Sequence, residues 1–300
     1  MVTETSLLCG PGNNLVATIT LPAGAVDAGG LPVALLTNSG VISRAGPHRI
    51  NVQIARRLAQ RGIASIRFDL GGIGDSRRAA STKPQMEQWV ADTRSVMDFA
   101  AQRLRSNRFF MIGFCSGAEV AYRCALEDER LRGILLWDLY AYPTPRSRLN
   151  TLLYRLRRAG LAGAAVKLVH KAMAAAGLVK LPAADKRQLQ DLEPPRVPPV
   201  DEFARDLVVL RGRGVEVFVM FCGGEPEWFN YPGQLRDFFK PFPALRDLRC
   251  EQLGQSDHLL TQRRSREAFV ASVDRWLADT GLLDGTAMPP AAAPREAAAA

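Results

Sequence analysis

The chain has 300 residues, 47% of them hydrophobic and 23% charged, which is enough for one large core or for a core carrying an insertion. No run approaches the ~20 apolar residues of a bilayer-spanning helix. The opening Met1-Val2-Thr3-Glu4-Thr5 has no basic region ahead of an apolar stretch, so it does not read as a secretory signal and a cytoplasmic location is expected. The formal charge is +9, but residues 144–200 hold eleven Lys and Arg against three Asp and Glu, so eight of the nine excess charges sit in one segment. A localised basic segment points to one surface. It has no nucleic-acid-binding motif and only Tyr154 as an aromatic, which argues against a nucleic-acid partner.

In chain order, apolar strand-like runs fall at Asn14 to Leu21, Val33 to Thr37, Ala64 to Phe68, Phe109 to Gly113, Ile134 to Trp137, Val215 to Phe221 and Leu245 to Leu253. Between them, helical spacing of apolar residues appears at Arg49 to Arg61, Gln85 to Leu104 and Arg264 to Leu277. The alternation predicts a mostly parallel sheet covered by helices on both faces, with the first two runs as an antiparallel hairpin. It lapses after Tyr142. Prolines bracket two helix-like stretches, Arg148 to Arg158 and Ala162 to Ala176, so residues 144–200 are expected to form an inserted helical cap on a core made of 1–143 and 201–280. The Ala/Pro-rich segment 281–300 has no periodicity and reads as a disordered tail.

The most informative stretch is Gly113-Phe114-Cys115-Ser116-Gly117, between the apolar run Phe109 to Ile112 and the helix-forming run Ala118 to Leu126. Strand, sharp turn and helix, with glycines two places either side of a central nucleophile, resemble the nucleophile elbow of α/β-hydrolases, with Cys115 where serine is usual. Glycines fit there because a Cβ at either flank would collide with neighbouring backbone. Ser116 is displaced from the tip by one residue. The other cysteines, Cys9, Cys124, Cys222 and Cys250, have no metal-ligand spacing and read as reduced, mostly buried thiols.

An elbow implies a nucleophile, an acid and a histidine in that chain order. Of the three histidines, His258 in Gly254-Gln255-Ser256-Asp257-His258 lies between the last strand and the last helix, where this architecture places its base. His48 reads as structural or as part of the pocket mouth, and His170 as a solvated residue of the cap. For the acid, Glu225 follows the strand Val215 to Phe221; Asp138, ending Leu135-Leu136-Trp137-Asp138, and Glu227 are the alternatives. Oxyanion donors are expected from the N–H of Ser116 and from the loop Asn38-Ser39-Gly40-Val41, at Val41 or its neighbour, with Gly40 allowing close backbone approach. A second pattern, Ala45-Gly46-Pro47-His48-Arg49 and Arg67-Phe68-Asp69-Leu70-Gly71-Gly72-Ile73-Gly74-Asp75-Ser76, reads as a turn tied together through the aspartate, with Arg49 within reach of an anionic substrate.

From about residue 10 to 280 the chain resembles the α/β-hydrolase superfamily. More narrowly, Gly46-Pro47-His48-Arg49, Arg67-Phe68-Asp69 and Gly113-Phe114-Cys115-Ser116-Gly117-Ala118 resemble bacterial hydrolases of the serine aminopeptidase-like group and those associated with the exosortase A system. Dienelactone hydrolases and polyhydroxyalkanoate synthases are similar in placing cysteine at the elbow. The resemblance implies acyl transfer with Cys115, Glu225 and His258 at the triad positions and no cofactor or metal. The substrate class is then a small acyl ester or thioester, free or carrier-bound, and the basic cap with Leu149, Leu152, Leu153 and Leu156 offers contact to an acidic membrane surface. The reading from another class is a catalytically degenerate hydrolase fold kept as a binding or assembly module.

Overall fold

A computed structural model of the chain describes residues 2–158, 197–224 and 227–283. Eight strands form one sheet: β1 (Thr3–Cys9), β2 (Leu15–Leu21), β3 (Val33–Thr37), β4 (Ser65–Phe68), β5 (Phe109–Phe114), β6 (Leu131–Trp137), β7 (Glu216–Cys222) and β8 (Arg249–Leu253), in the order β1-β2-β4-β3-β5-β6-β7-β8. The β1–β2 and β2–β4 pairs are antiparallel and all the others are parallel. The central strands are apolar throughout and buried at every position, Val-Ala-Leu-Leu-Thr in β3 and Phe-Phe-Met-Ile-Gly-Phe in β5, because helices cover both their faces.

One face packs against α1 (Ile50–Gln60) and α7 (Arg263–Asp279), with Trp276, Phe269 and Ile54 fully buried. The opposite face packs against α2 (Gln85–Leu104), α3 (Ser116–Glu127) and α5 (Val200–Gly212), with Phe203, Val96 and Ala121 in the core. Residues 145–158 are helical (α4), and a short α6 (Gln234–Phe238) precedes β8. This is the expected α/β architecture. Of the predicted cap, 145–158 is described and helical, whereas Ala162 to Ala176 lies outside the described residues.

Three expectations need correction. The run Asn14 to Leu21 does not pair with Val33 to Thr37; its hairpin partner is β1, and β3 crosses to the sheet centre between β4 and β5. β1, Thr-Glu-Thr-Ser-Leu-Leu-Cys, is an edge strand largely open to solvent, so its sequence lacks the apolar continuity that reveals a buried strand. The last run is a strand only over Arg249–Leu253, because Leu245 belongs to a 3₁₀ turn. The tail does not begin at 281: Gly281–Leu283 form a helical turn, and Leu282 is buried against Trp276 and the backbone of Gly133.

The glycines that shape the sheet's C-terminal edge are fixed by contact distance. A Cβ at Gly113 would lie 2.4 Å from the Gly117 carbonyl oxygen, and one at Gly117 would lie 2.7 Å from the Asn38 carbonyl oxygen. The first glycine lets α3 leave β5 sharply, and the second lets α3 sit against the end of β3. By contrast a Cβ at Gly212, the last residue of α5, meets nothing within 4 Å. Gly113→Ala is therefore expected to lower stability by about 1–3 kcal/mol or more, whereas Gly212→Ala leaves it unchanged or raises it by about 0.5–1 kcal/mol. Urea denaturation of the two variants side by side checks this.

Candidate active site

The parallel strands point their C-terminal ends to one edge, where ligands bind in open α/β sheets. Cys115 is the first residue beyond β5 and stands at φ 54°, ψ −118°, a conformation that non-glycine residues seldom adopt. Hydrogen bonds hold it there. Its N–H donates to the Trp137 carbonyl at 3.0 Å, and its own carbonyl accepts from the N–H groups of Ala118 at 2.9 Å and Glu119 at 3.3 Å. The side chain is thereby lifted off the sheet at the N-terminus of α3, half-exposed. The first-turn N–H groups at Ser116 and Gly117 lie outside the α3 hydrogen-bond ladder.

The neighbouring strand supplies the carboxylate. Asp138 follows β6, and its side chain is 5% exposed. Its Oδ1 accepts the Cys222 N–H at 2.8 Å, while Oδ2 lies 2.9 Å from Nδ1 of His258. The imidazole is held from behind as well, since Trp137 Nε1 donates to the His258 carbonyl at 3.0 Å. The loop that carries His258 is clamped to the end of β7: Gly223 N–H reaches the carbonyls of Leu253 and Ser256 at 3.0 Å, and Gly224 N–H reaches Ser256 at 2.9 Å. A Cβ at Gly223 would lie 2.1 Å from the Gly254 oxygen, so the clamp requires glycine.

With Nδ1 taken by Asp138, Nε2 is the ring nitrogen left for the Cys115 side, whose sulfur is close enough to act on the same imidazole. The Asp138 carboxylate, and after it the Cys115 sulfur, favour the imidazolium strongly enough to overcome partial burial and push the His258 pKa up to about 10. Burial pushes Cys9 up to about 11 and Cys124 and Cys250 up to about 12.

The loop after β3 is fixed from three sides. Asn38 donates to the Gly40 carbonyl at 3.1 Å and accepts the Leu70 N–H at 3.0 Å. Asn51 of α1 donates to the Thr37 carbonyl at 2.9 Å. The Gly40 N–H donates to Ser116 Oγ at 2.8 Å, so Ser116, one residue past the elbow tip, ties the loop to α3. Gly40 is glycine for its φ of +53°, not for close approach as expected from sequence: a Cβ there meets nothing within 4 Å. Val41 lies in the tight turn closed by the Ile42 N–H to Ser39 carbonyl bond at 2.9 Å, its side chain exposed.

The second sequence pattern is structural, as read. Buried Asp69 accepts from the Arg44 N–H, from Arg44 Nη1 at 2.6 Å and from the Asp75 N–H at 3.1 Å, and Ser76 Oγ donates to the Asp69 carbonyl at 2.7 Å. His48 and Arg49 are exposed with left-handed φ at the start of α1. Thus Cys115, His258 and Asp138 converge, with Ser116 beside them. Glu225 and His170 lie outside the described residues, and Glu227 pairs with Arg155 of α4. What sequence reasoning missed is the glycine clamp at Gly223; its signal was two glycine-bearing turns, Gly223-Gly224 and Gly254, directly after adjacent parallel strands.

Two clefts open nearby on the surface. One, of about 450 Å³, lies beside α4 and is lined by Ala141, Pro143, Leu152 and Trp228 with Arg148 and Arg155. The other, of about 420 Å³, lies at the start of α2 between Arg78, Lys83 and Trp89. Cys115 is among the lining residues of neither.

The fold is that of the α/β-hydrolases. Residues 43–178 match the model of the serine aminopeptidase S33 family, a stretch that includes the elbow and Asp138. No curated protein sequence matches the chain. Among solved structures, the fold is shared with a lidless α/β serine hydrolase from Xanthomonas campestris, at 15% identity and a TM-score of 0.53 over 96% of this chain and 97% of that one. It is shared too with Est1E from Butyrivibrio proteoclasticus (14%, 0.53, 91% and 98%) and an esterase from Pyrococcus furiosus (14%, 0.51, 93% and 92%).

The His258 environment has a direct consequence for pH. Its folded pKa lies above its ordinary value, so the stabilisation it contributes is complete below about pH 6.5 and is lost as pH rises through about 10. Asp138→Asn removes the largest cause of the shift. Its imidazole is expected to titrate closer to the ordinary histidine range by NMR, with the alkaline fall in stability moved to lower pH in urea unfolding.

Proposed function

We propose that the chain is an acyl-transferring hydrolase of esters or thioesters in which Cys115 is the nucleophile, His258 the proton carrier and Asp138 the orienting acid. The observation that carries this reading is the 2.9 Å contact of the Asp138 carboxylate with His258, on the sheet edge where half-exposed Cys115 stands at a helix N-terminus. The thiolate is the nucleophilic form of cysteine, and in this reading His258 takes the Cys115 proton.

In this mechanism the Cys115 thiolate attacks the substrate carbonyl carbon, and the carbonyl electron pair moves to oxygen. The oxyanion is received by the Ser116 N–H at the start of α3 and by a second N–H from the Ser39–Ile42 turn, for which Val41 is the candidate. The C–O or C–S bond to the leaving group then breaks as the His258 imidazolium gives it a proton. This leaves an acyl thioester on Cys115 and neutral His258. Water, or an acceptor alcohol or thiol, loses its proton to His258 and attacks the acyl carbon, and the thiolate departs. Asp138 stays ionised throughout, stabilising the cation and fixing the ring by accepting from Nδ1. Thioesters suit this nucleophile because the exchange of one sulfur leaving group for another is nearly balanced.

Assayed against a panel of acyl thioesters and aryl esters, Cys115→Ala is expected to lose about 10³-fold or more in kcat/KM, and Cys115→Ser to lose thioester turnover. Iodoacetamide at neutral pH is expected to label Cys115 ahead of Cys9 and Cys124, with that preference abolished in His258→Ala. Full activity in Cys115→Ala contradicts the mechanism. Labelling of Cys115 no faster than of Cys124, with no turnover of any panel substrate, favours the binding-module reading.

A further inference from the structure

The helix α4 is amphipathic in the inverted sense. Its inner face is polar: Ser147 is buried and Asn150 and Thr151 half-buried, all three tied to Asn230 in the loop after β7. Asn230 Nδ2 donates to the Ser147 carbonyl at 3.0 Å and to Thr151 Oγ1 at 3.1 Å, and Asn150 Nδ2 donates to Asn230 Oδ1 at 3.2 Å. The Arg146 guanidinium sits 4.5 Å from the Tyr231 ring centroid, and Arg155 pairs with Glu227. The outer face is aliphatic. Leu149, Leu152, Leu153 and Leu156 are 55%, 54%, 42% and 39% exposed and recur at i, i+3, i+4 and i+7, so they form one stripe. A surface helix ordinarily turns its apolar face to the core, and here the core-facing side is satisfied by hydrogen bonds instead.

Charge narrows the occupant of the stripe. At helical spacing Arg148 and Arg157 project from its two sides, both exposed, and Arg158 lies near the helix end. Four leucines bordered by arginines whose stems can run along apolar surface while their heads reach outward match the boundary between acyl chains and anionic headgroups. The aromatic bordering the stripe is Trp228, exposed in the cleft that Leu152 also lines, a residue type at home at the headgroup boundary.

We infer that the outer face of α4 docks the protein on anionic lipid bilayers, the leucine stripe entering the acyl boundary and the flanking arginines binding headgroup phosphates. Docking is independent of the chemistry at Cys115.

Vesicle flotation of the full chain tests this. The protein is expected to float with phosphatidylcholine vesicles containing about 30% phosphatidylglycerol and to bind phosphatidylcholine alone about tenfold less, with affinity falling as salt is raised. Leu149→Ser combined with Leu153→Ser should reduce flotation about tenfold. Arg148→Glu combined with Arg157→Glu should reduce it and flatten the salt dependence. Both pairs are exposed, and circular dichroism should match the parent. No flotation on anionic vesicles, equal flotation on both vesicle types, or flotation indifferent to the leucine pair overturns the inference. So does sedimentation as a dimer that the leucine pair splits, which would make the stripe a self-association surface.

Discussion

Everything at the C-terminal edge of the sheet depends on backbones being allowed to come closer than side chains normally permit. Gly113 lets α3 turn back across the end of β5, Gly117 lets α3 lie against the end of β3, and Gly223 lets the β7 turn lie against the histidine loop. Each contact would be broken by a single Cβ. The result is that the ends of β6 and β7 and the His258 loop are joined by hydrogen bonds through Asp138, on the same sheet edge as the β5 end that carries Cys115. The strained backbone at Cys115 persists because its N–H and carbonyl are both engaged, which is how local strain is sustained at a reactive position.

Electrostatics then gives the assembled groups their character. Asp138 is nearly fully buried and spends one carboxylate oxygen on a backbone N–H and the other on the imidazole, so its geometry is set by β7 as much as by its own strand. An oriented carboxylate makes the imidazolium the favoured form of His258. The four other thiols lack this setting, and three of them are buried.

The sequence disclosed the parts of this arrangement whose signals are local. The elbow was legible because strand, glycine, nucleophile and glycine lie within one short stretch, and His258 because it sits between recognisable final elements. Apolar periodicity located α2 at Gln85–Leu104 and α1 and α7 to within a residue or two. The acid was less legible, since Glu225 and Asp138 both follow buried strands, and choosing between them requires knowing which one the His258 loop approaches. Strand order was misread at the start of the chain because β1 is an exposed edge strand with no continuous apolar run, leaving β2 and β3 to look like neighbours. Gly40 was assigned to close approach when its role is a left-handed φ, a distinction that composition does not carry. The turn at Gly281–Leu283 was absorbed into the compositional tail because a single buried leucine has no period.

The central claim is that the acyl group passes through Cys115, and its most direct test is to catch it there. The protein is mixed with an acyl thioester that it turns over, quenched in acid within a turnover, digested, and the peptides mapped by mass spectrometry. The account predicts an acyl mass on the peptide containing Cys115, discharged by hydroxylamine and absent from Cys115→Ala. An acyl mass on Ser116 or on another residue, or turnover with no acyl mass on Cys115 at any quench time, would contradict it.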